Sequence, residues 1–279
     1  MIKISAIQPN NNAISSGYPF VEAILSVLPI VDEVLINDGG SLDETPFYLK
    51  KLKKTFPEKI KIFNKPFYFS DFWETIDDCV EFLISQAKGK WIFEVQGDDV
   101  WHEKDIFKLR KIIEKASKQG YNSIRTVYYW RNFQSINQYK YRNIRIVRKF
   151  EGLKSNWGGD DFQIGNNKSP AKGFTSSNVP PELITNISCF HLSNIPFPKN
   201  ALKRAERIAT FFARKDKERQ EHWKRLQSSS SFQEQKPNLR VVKKLPALLQ
   251  GLAGFDEYKV RKELFDEKFL KSLTRIEYK

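Results

Sequence analysis

Two adjacent carboxylates, Asp98 and Asp99, follow the apolar run WIFEV (91–95), separated from it only by Gln96 and Gly97. A strand driven into a core and then tipped with negative charge needs a partner there, because an unpaired buried carboxylate is costly. A second acid, Asp38, ends the run VLIND (34–38) and is followed by Gly39, Gly40 and Ser41. Carboxylates at strand tips accept hydrogen bonds from a nucleobase or ribose, or coordinate a hard divalent cation that neutralises a diphosphate. Each also has a plainer use. The NDGGS stretch is what a turn wants, and one acid of the Asp98–Asp99 pair can cap the following helix. Of the three histidines, His102 sits beside a helix start and reads as a surface or cap residue, and His222 reads as solvated. His191 ends the run ISCFH, where an imidazole either completes a metal site that two carboxylates leave unfilled or serves the packing of a strand end.

The elements that must position these groups alternate through the first hundred residues. KISAIQ (3–8), DEVLIND (32–38), KIKIFN (59–64) and KWIFEVQ (90–96) read as strands. YPFVEAILSVLPI (18–30), PFYLKKLKKTF (46–56) and a segment opened by Ser70 read as helices between them,. The economical solution is an α/β fold with a mainly parallel sheet covered on both faces. In such a sheet ligands bind beyond the carboxyl ends of the strands, and the expectation is that neighbouring strand tips bring Asp38 and Asp98 together. Downstream, 103–119 reads as a charged amphipathic helix, SIRTVYYWR and NIRIVRKF as an antiparallel pair, 151–182 as a long loop and 182–192 as a strand. Residues 199–227 read as a long basic helix, SSSS (228–231) as a linker or turn, and 236–279 as short helices,. The domain division expected is 1–198 for the ligand-binding unit and 199–279 for a basic helical extension.

Bulk composition narrows the classes. At 279 residues with 40% hydrophobic content the chain is globular rather than disordered or repetitive,. Cys79 and Cys189 are far apart, which argues against a disulfide framework or a zinc ribbon and for buried thiols,. The start MIKISAIQPN lacks the regions of a signal peptide, predicting a cytosolic protein,. The formal net charge of +14 is uneven: residues 121–150 hold seven Lys or Arg and no acid. Such a field attracts polyanions, and the same letters also describe a solubilising surface. For nucleic acid the aromatic and basic segment would have to stack bases, but a buried antiparallel pair explains it equally, and nucleic acid is not the expected partner.

Four ordered stretches, taken together, resemble family 2 glycosyltransferases of the GT-A fold. VLINDGGSLDET (34–45) is similar to their VDDGSTDGT signature, and GKWIFEVQGDDVWHEKD to the strand entering their DxD motif. YPFVEAILSVLPIVDE (18–33), QGDDVWHEKD (96–105), RNIRIVRK (142–149) and CFHLSNIPFP (189–198) resemble a bacterial and viral subgroup. About 200 residues are covered. The resemblance implies a GT-A Rossmann-like sheet and transfer of a sugar from a UDP- or GDP-linked donor to a glycan or lipid-linked acceptor. It also implies that Asp38 contacts base or ribose, that Asp98 holds Mn2+ or Mg2+ across the diphosphate, and that His191 is a further metal ligand.

The chain departs from the family pattern at Gln96, which replaces the first Asp of DxD with a poorer cation ligand, and at HLSN, which replaces an aromatic-rich HYGW. Gln96 and Asp78 are kept as nucleotide-side candidates, with Asp77 beside the latter. An acceptor hydroxyl needs a base, and Asp160 and Asp161 in WGGDDFQ are the candidates, with a loop or cap role as the alternative. Gln96 and the positive charge also allow a different class, a nucleotide-sugar or polyanion binding module without catalysis. In either class the basic excess predicts at most a peripheral contact with an anionic membrane face.

Overall fold

The computed structural model describes residues 3–67, 72–130, 135–136, 141–156, 161–163, 182–192, 197, 199–200, 240–241, 248–249, 252 and 257–274. Nearly all of the expected basic helix, the serine run, Ser70 and Asp160 lie outside them. Strands β1 (Ile4–Asn10), β2 (Glu33–Asp38), β3 (Ile60–Phe63) and β4 (Trp91–Glu94) pair in parallel. They continue into β5 (Asp99–Trp101), β6 (Ser123–Trp130), β8 (Tyr141–Arg148) and β11 (Glu182–His191), giving the sheet order β3-β2-β1-β4-β8-β6-β11-β5. Two small antiparallel ladders join β7 (Ser135–Ile136) to β12 (Arg240–Val241) and β9 (Lys154–Asn156) to β10 (Asp161–Gln163). β9 and β10 break up the loop expected over 151–182.

The expected α/β architecture with a largely parallel first half is present, and its direction decides where a site can form. β8 runs antiparallel to both β4 and β6, and β11 runs parallel to β6. The carboxyl ends of β1, β2, β3, β4, β6 and β11 therefore share one edge of the sheet. β2 and β4 are not neighbours, however, because β1 lies between them. The expectation that adjacent tips carry Asp38 and Asp98 is corrected: both lie on that edge, with Asn10 of β1 the register partner of Asp38.

Local sequence explains these strands. Every residue of β2 and of β4 is buried, as expected for strands covered on both faces,. Pro9 is tolerated inside central strand β1 because of where its missing N–H would point. Ile7 O accepts from Val95 N, so odd-numbered residues of β1 face β4, and β4 stops pairing at Ile7↔Glu94. The proline thus costs no ladder bond.

Helices α1 (Ala13–Ser16), α2 (Phe20–Val27), α3 (Thr45–Thr55), α4 (Phe72–Gln86), α5 (Glu103–Lys118) and α6 (Glu267–Thr274) cover the sheet. One core holds α2, α3 and α5 with Trp91, Phe93 and Trp101; the other holds α4 with Ile7, Leu35 and Ile92. α2 is buried all round, Glu22 included. In α5, Ile106, Leu109, Ile113 and Ala116 face inward, and His102 caps the first turn by accepting from Lys104 N,. That assigns the cap to His102 and not to Asp98 or Asp99. Leu248, Leu252, Tyr258 and Leu264 of the C-terminal segment enter the α2 core, followed by a 3-10 turn (Lys262–Phe265) and α6. Among the described residues, no helix is long and apolar enough to cross a membrane.

The start of β4 is fixed by close approach. A Cβ on Gly89 would lie 2.5 Å from Ser5 N and 2.9 Å from Ile4 C, both backbone atoms, while Gly89 N donates to Ser5 Oγ. Gly89→Ala is therefore expected to destabilise the protein by about 1–3 kcal/mol, since β1 and β4 must move apart. Urea unfolding measures it, and a variant as stable as the parent would contradict the packing described.

Candidate active site

The acidic tip of β4 and the end of β11 meet through β5. After Glu94 the chain turns, with Asp99 N donating to Gln96 O, and β5 then runs back antiparallel to β11. In that ladder Asp99 stands directly opposite His191, so their side chains share a face,. His191 Nδ1 lies 2.7 Å from Asp99 Oδ1 and 3.7 Å from Asp98 Oδ1. Leu192 N donates to Asp98 O, tying the turn to the exit of β11. Asp98 and His191 retain 7% and 8% exposure, whereas Asp99 retains none. A ligand arriving from solvent thus meets Asp98 and His191 first, with Asp99 behind them.

Charge fixes the protonation of the cluster. Burial pulls the His191 imidazole down, but the charges of Asp98 and Asp99, with the Asp99 hydrogen bond, outweigh it and lift its pKa from 6.5 to about 9. Burial would raise Asp99, but Arg145 and then His191 hold it below the usual carboxylate value. Arg145 is itself buried, with Nε 3.2 Å from Asp99 Oδ2 and Nη1 3.5 Å from Glu94 Oε2. A site that keeps an imidazole protonated at neutral pH is one that favours positive charge.

The donor set passes the test for a divalent cation. Asp98, Asp99 and His191 each offer one atom, and these atoms lie within 4.8 Å of one another. Opposite ligands of Mg2+ stand roughly 4.2 Å apart, twice the metal–oxygen bond length, so little movement is needed. Two carboxylates and an imidazole also suit Mn2+.

The remaining candidates fall at different places. Asp38 is buried, and its Oδ1 accepts from Ser41 N at 3.0 Å, closing the turn that the NDGGS composition offers. Gly40 in that turn has φ +88. The turn is locked to the loop after β1: Asn12 N donates to Ser41 Oγ, Leu42 N to Asn12 Oδ1, and Asn11 Nδ2 to Gly39 O. Asn12 takes φ 49, the left-handed region that asparagine tolerates,. Gly97 approaches this loop, since a Cβ there would sit 3.7 Å from Asn10 Oδ1. The loops after β1, β2 and β4 thus line one edge.

Gln96 does not stand free beside Asp98, because its Oε1 accepts from Arg145 Nη2 at 2.9 Å. Asp78 is exposed on α4 and is not part of the buried cluster; its backbone carbonyl accepts from Lys65 Nζ. Asp77 accepts from Ser155 Oγ of β9 at 2.6 Å, a structural tie. Asp161 begins β10 opposite Asn156, its side chain lies outside the described residues, and so does all of Asp160. A groove of about 450 Å³ between α5 and the first half of β11 lies at the other end of that strand and shares no residue with the cluster.

The sequence profile described as glycosyl transferase family 2 matches residues 18–172, more than half of the chain. The chain belongs to this family. Within family 2, an uncharacterized glycosyltransferase of Mycoplasma genitalium is 29% identical over 138 residues, covering 47% of this chain and 44% of that protein. The chain thus aligns with less than half the length of that relative. Among solved structures, a mannosyltransferase from Pyrobaculum calidifontis with GDP-Man and Mn2+ is 12% identical, covering 76% of this chain and 64% of that one at a TM-score of 0.47. S. aureus TarS 1-349 with UDP is 17% identical, covering 47% and 36% at a TM-score of 0.34.

The family match spans Asp38, Gln96, Asp98 and Asp99 but ends before His191. Sequence reasoning missed Glu94 and Arg145. The available signal was Arg145 itself, a charged residue flanked by Ile144 and Ile146.

Proposed function

We propose that this protein is a glycosyltransferase that moves a sugar from a UDP- or GDP-linked donor to a hydroxyl of a glycan or lipid-linked acceptor. The observation that carries the reading is the buried Asp98–Asp99–His191 cluster at the carboxyl edge of the sheet in a chain of this family. A divalent cation, Mn2+ or Mg2+, would supply neutralisation of the charge that develops on the leaving diphosphate. Asp98 and His191, the two groups with exposed surface, would hold it. Asp99 would orient the imidazole from behind, as carboxylates do for metal-bound histidines. Asp38 would serve the base or ribose, its turn held by Ser41 and Asn12. Asp160 and Asp161 are the proposed acceptors of the hydroxyl proton.

A second reading, a donor-binding module without turnover, is favoured by one observation: Gln96 is engaged by Arg145. One experiment separates the two. In a thermal-shift panel of nucleotides and nucleotide sugars with and without Mn2+, one donor should raise the melting temperature by several degrees. Ligand at 100 times its Kd adds about 2.7 kcal/mol to the native state. The same donor should release nucleoside diphosphate on incubation. Binding without release supports the module, and a panel in which no nucleotide shifts melting removes both readings.

A further inference from the structure

Behind the partly exposed Asp98 and His191 lies a second layer of charge with almost no surface: Asp99, Glu94 and Arg145. Arg145 reaches it through a register shift. β8 pairs with β6 as Ile124↔Ile146 and then as Arg125↔Ile144, so Arg145 is the extra residue of a β-bulge,. Packing shows the consequence. In unbroken alternation Ile144 and Ile146 would share a face. Instead Ile144 lies with Val147 in the core under α4, and Ile146 lies in the opposite core. On its other side β8 follows β4 with Phe93↔Ile146, which brings Arg145 beside Glu94.

From there one guanidinium spans three groups. Nη1 faces Glu94 Oε2 at 3.5 Å, Nε faces Asp99 Oδ2 at 3.2 Å, and Nη2 donates to Gln96 Oε1 at 2.9 Å. These belong to the end of β4, the 96–99 turn and the start of β5. A planar fork of donors can hold such a spread, whereas a lysine ammonium is a point charge on a flexible stem.

We propose that Arg145 is a positioning residue for the cation site: through its hydrogen bond to Gln96 and its ion pair with Asp99 it fixes the 96–99 turn and aims Asp99 Oδ1 at His191, leaving Asp98 and His191 to face the donor diphosphate. The inference rests on the nucleotide-sugar reading above. It also gives Gln96 a reason. A carboxylate at position 96 would be drawn toward Arg145 and away from the cation, so the replacement of the first Asp of DxD by Gln96 is a change of partner.

The test measures Mn2+ affinity of the full chain, from the free-ion paramagnetic resonance signal, alongside kcat and KM for donor hydrolysis. Arg145→Lys keeps the charge but not the fork. It should weaken Mn2+ binding by about 10–100-fold, the usual effect of removing a residue that orients a metal ligand, and lower kcat more than it changes donor KM. Gln96→Glu, isosteric with the parent, sets a third carboxylate beside a guanidinium that already faces Glu94 and Asp99, and covers the case in which the lysine variant does not fold. It should leave Mn2+ affinity within about threefold, well short of a ligand-level change. A folded Arg145→Lys protein with parental Mn2+ affinity, or a Gln96→Glu protein that binds Mn2+ about tenfold tighter, overturns the role of Arg145. A parent chain that binds no Mn2+ at all would instead remove the cation reading, and the role of Arg145 with it.

Discussion

Asp98→Ala is expected to lower Mn2+-dependent release of nucleoside diphosphate from the donor by at least about 100-fold, roughly 3 kcal/mol of transition-state stabilisation. The size follows from position. Asp98 is the one carboxylate of the cluster with surface open to an incoming ligand, and His191 Nδ1 lies 3.7 Å from it. Removing it leaves His191 and a fully buried Asp99 already engaged by Arg145. Mn2+ should also cease to raise the melting temperature, because a cation stabilises only the state that binds it. The metal-free melting temperature should stay within a few degrees of the parent's. Attraction between Asp98 and the imidazolium is lost, but so is repulsion between Asp98 and Asp99. Comparable donor turnover in this variant and the parent would end the proposed assignment of the cluster, whatever the fate of the fold.

The second large effect is on stability and is read in pH. Glu22 lies on α2, every residue of which is buried, and its Oε2 accepts from the Tyr258 hydroxyl at 2.8 Å. Burial pushes its pKa from 4.5 to about 7, against the Tyr258 hydrogen bond and the charge of Arg261, with Glu263 adding to the rise. The folded protein therefore keeps this proton up to about pH 7, while the unfolded chain releases it near 4.5. The stability contributed by the neutral carboxyl is fully present below 4.5 and is lost as pH rises through about 7. The gap amounts to about 3 kcal/mol.

Glu22→Gln retains an oxygen for Tyr258 and cannot ionise. Between pH 4.5 and 8 the melting temperature of the parent should therefore fall by roughly 6–12 °C more than that of the variant. Differential scanning calorimetry across that range measures the difference, and parallel curves would show that Glu22 is not held neutral. Because Tyr258 belongs to the C-terminal segment, the same contact fastens that segment to the α2 core. Asn200 adds to it, donating to Ile14 O and accepting from Tyr258 N.

Much of this molecule is legible in one dimension. The runs VLI (34–36) and WIF (91–93) are strands because they are apolar and are followed by polar, turn-forming residues, and both properties are local. The α5 boundaries follow from a cap at His102, acids in the first turn and lysines in the last,. A carboxylate at the tip of a parallel strand is placed at the carboxyl edge of the sheet from sequence alone, as Asp38 and Asp98 are,. The short strand β5 was not, since three residues carry too little periodicity to be seen.

What the amino-acid order could not supply is which distant groups share a buried space. Asp99 faces His191 across 92 positions, and Arg145 holds Gln96 across 49. Both contacts depend on strand pairing, and Arg145 depends further on a bulge that resets which face each residue occupies. Period-2 reasoning assumes an unbroken ladder and cannot anticipate that shift. The place of β1 between β2 and β4 is likewise a matter of strand order, which sequence neighbours do not encode. Thus the chain's own letters determined the fold class, the carboxyl edge of the sheet and the acids upon it. Only the tertiary structure decided that Asp98 and His191 stand in front while Asp99 and Arg145 stand behind, because burial and cross-strand register are properties of the assembled sheet.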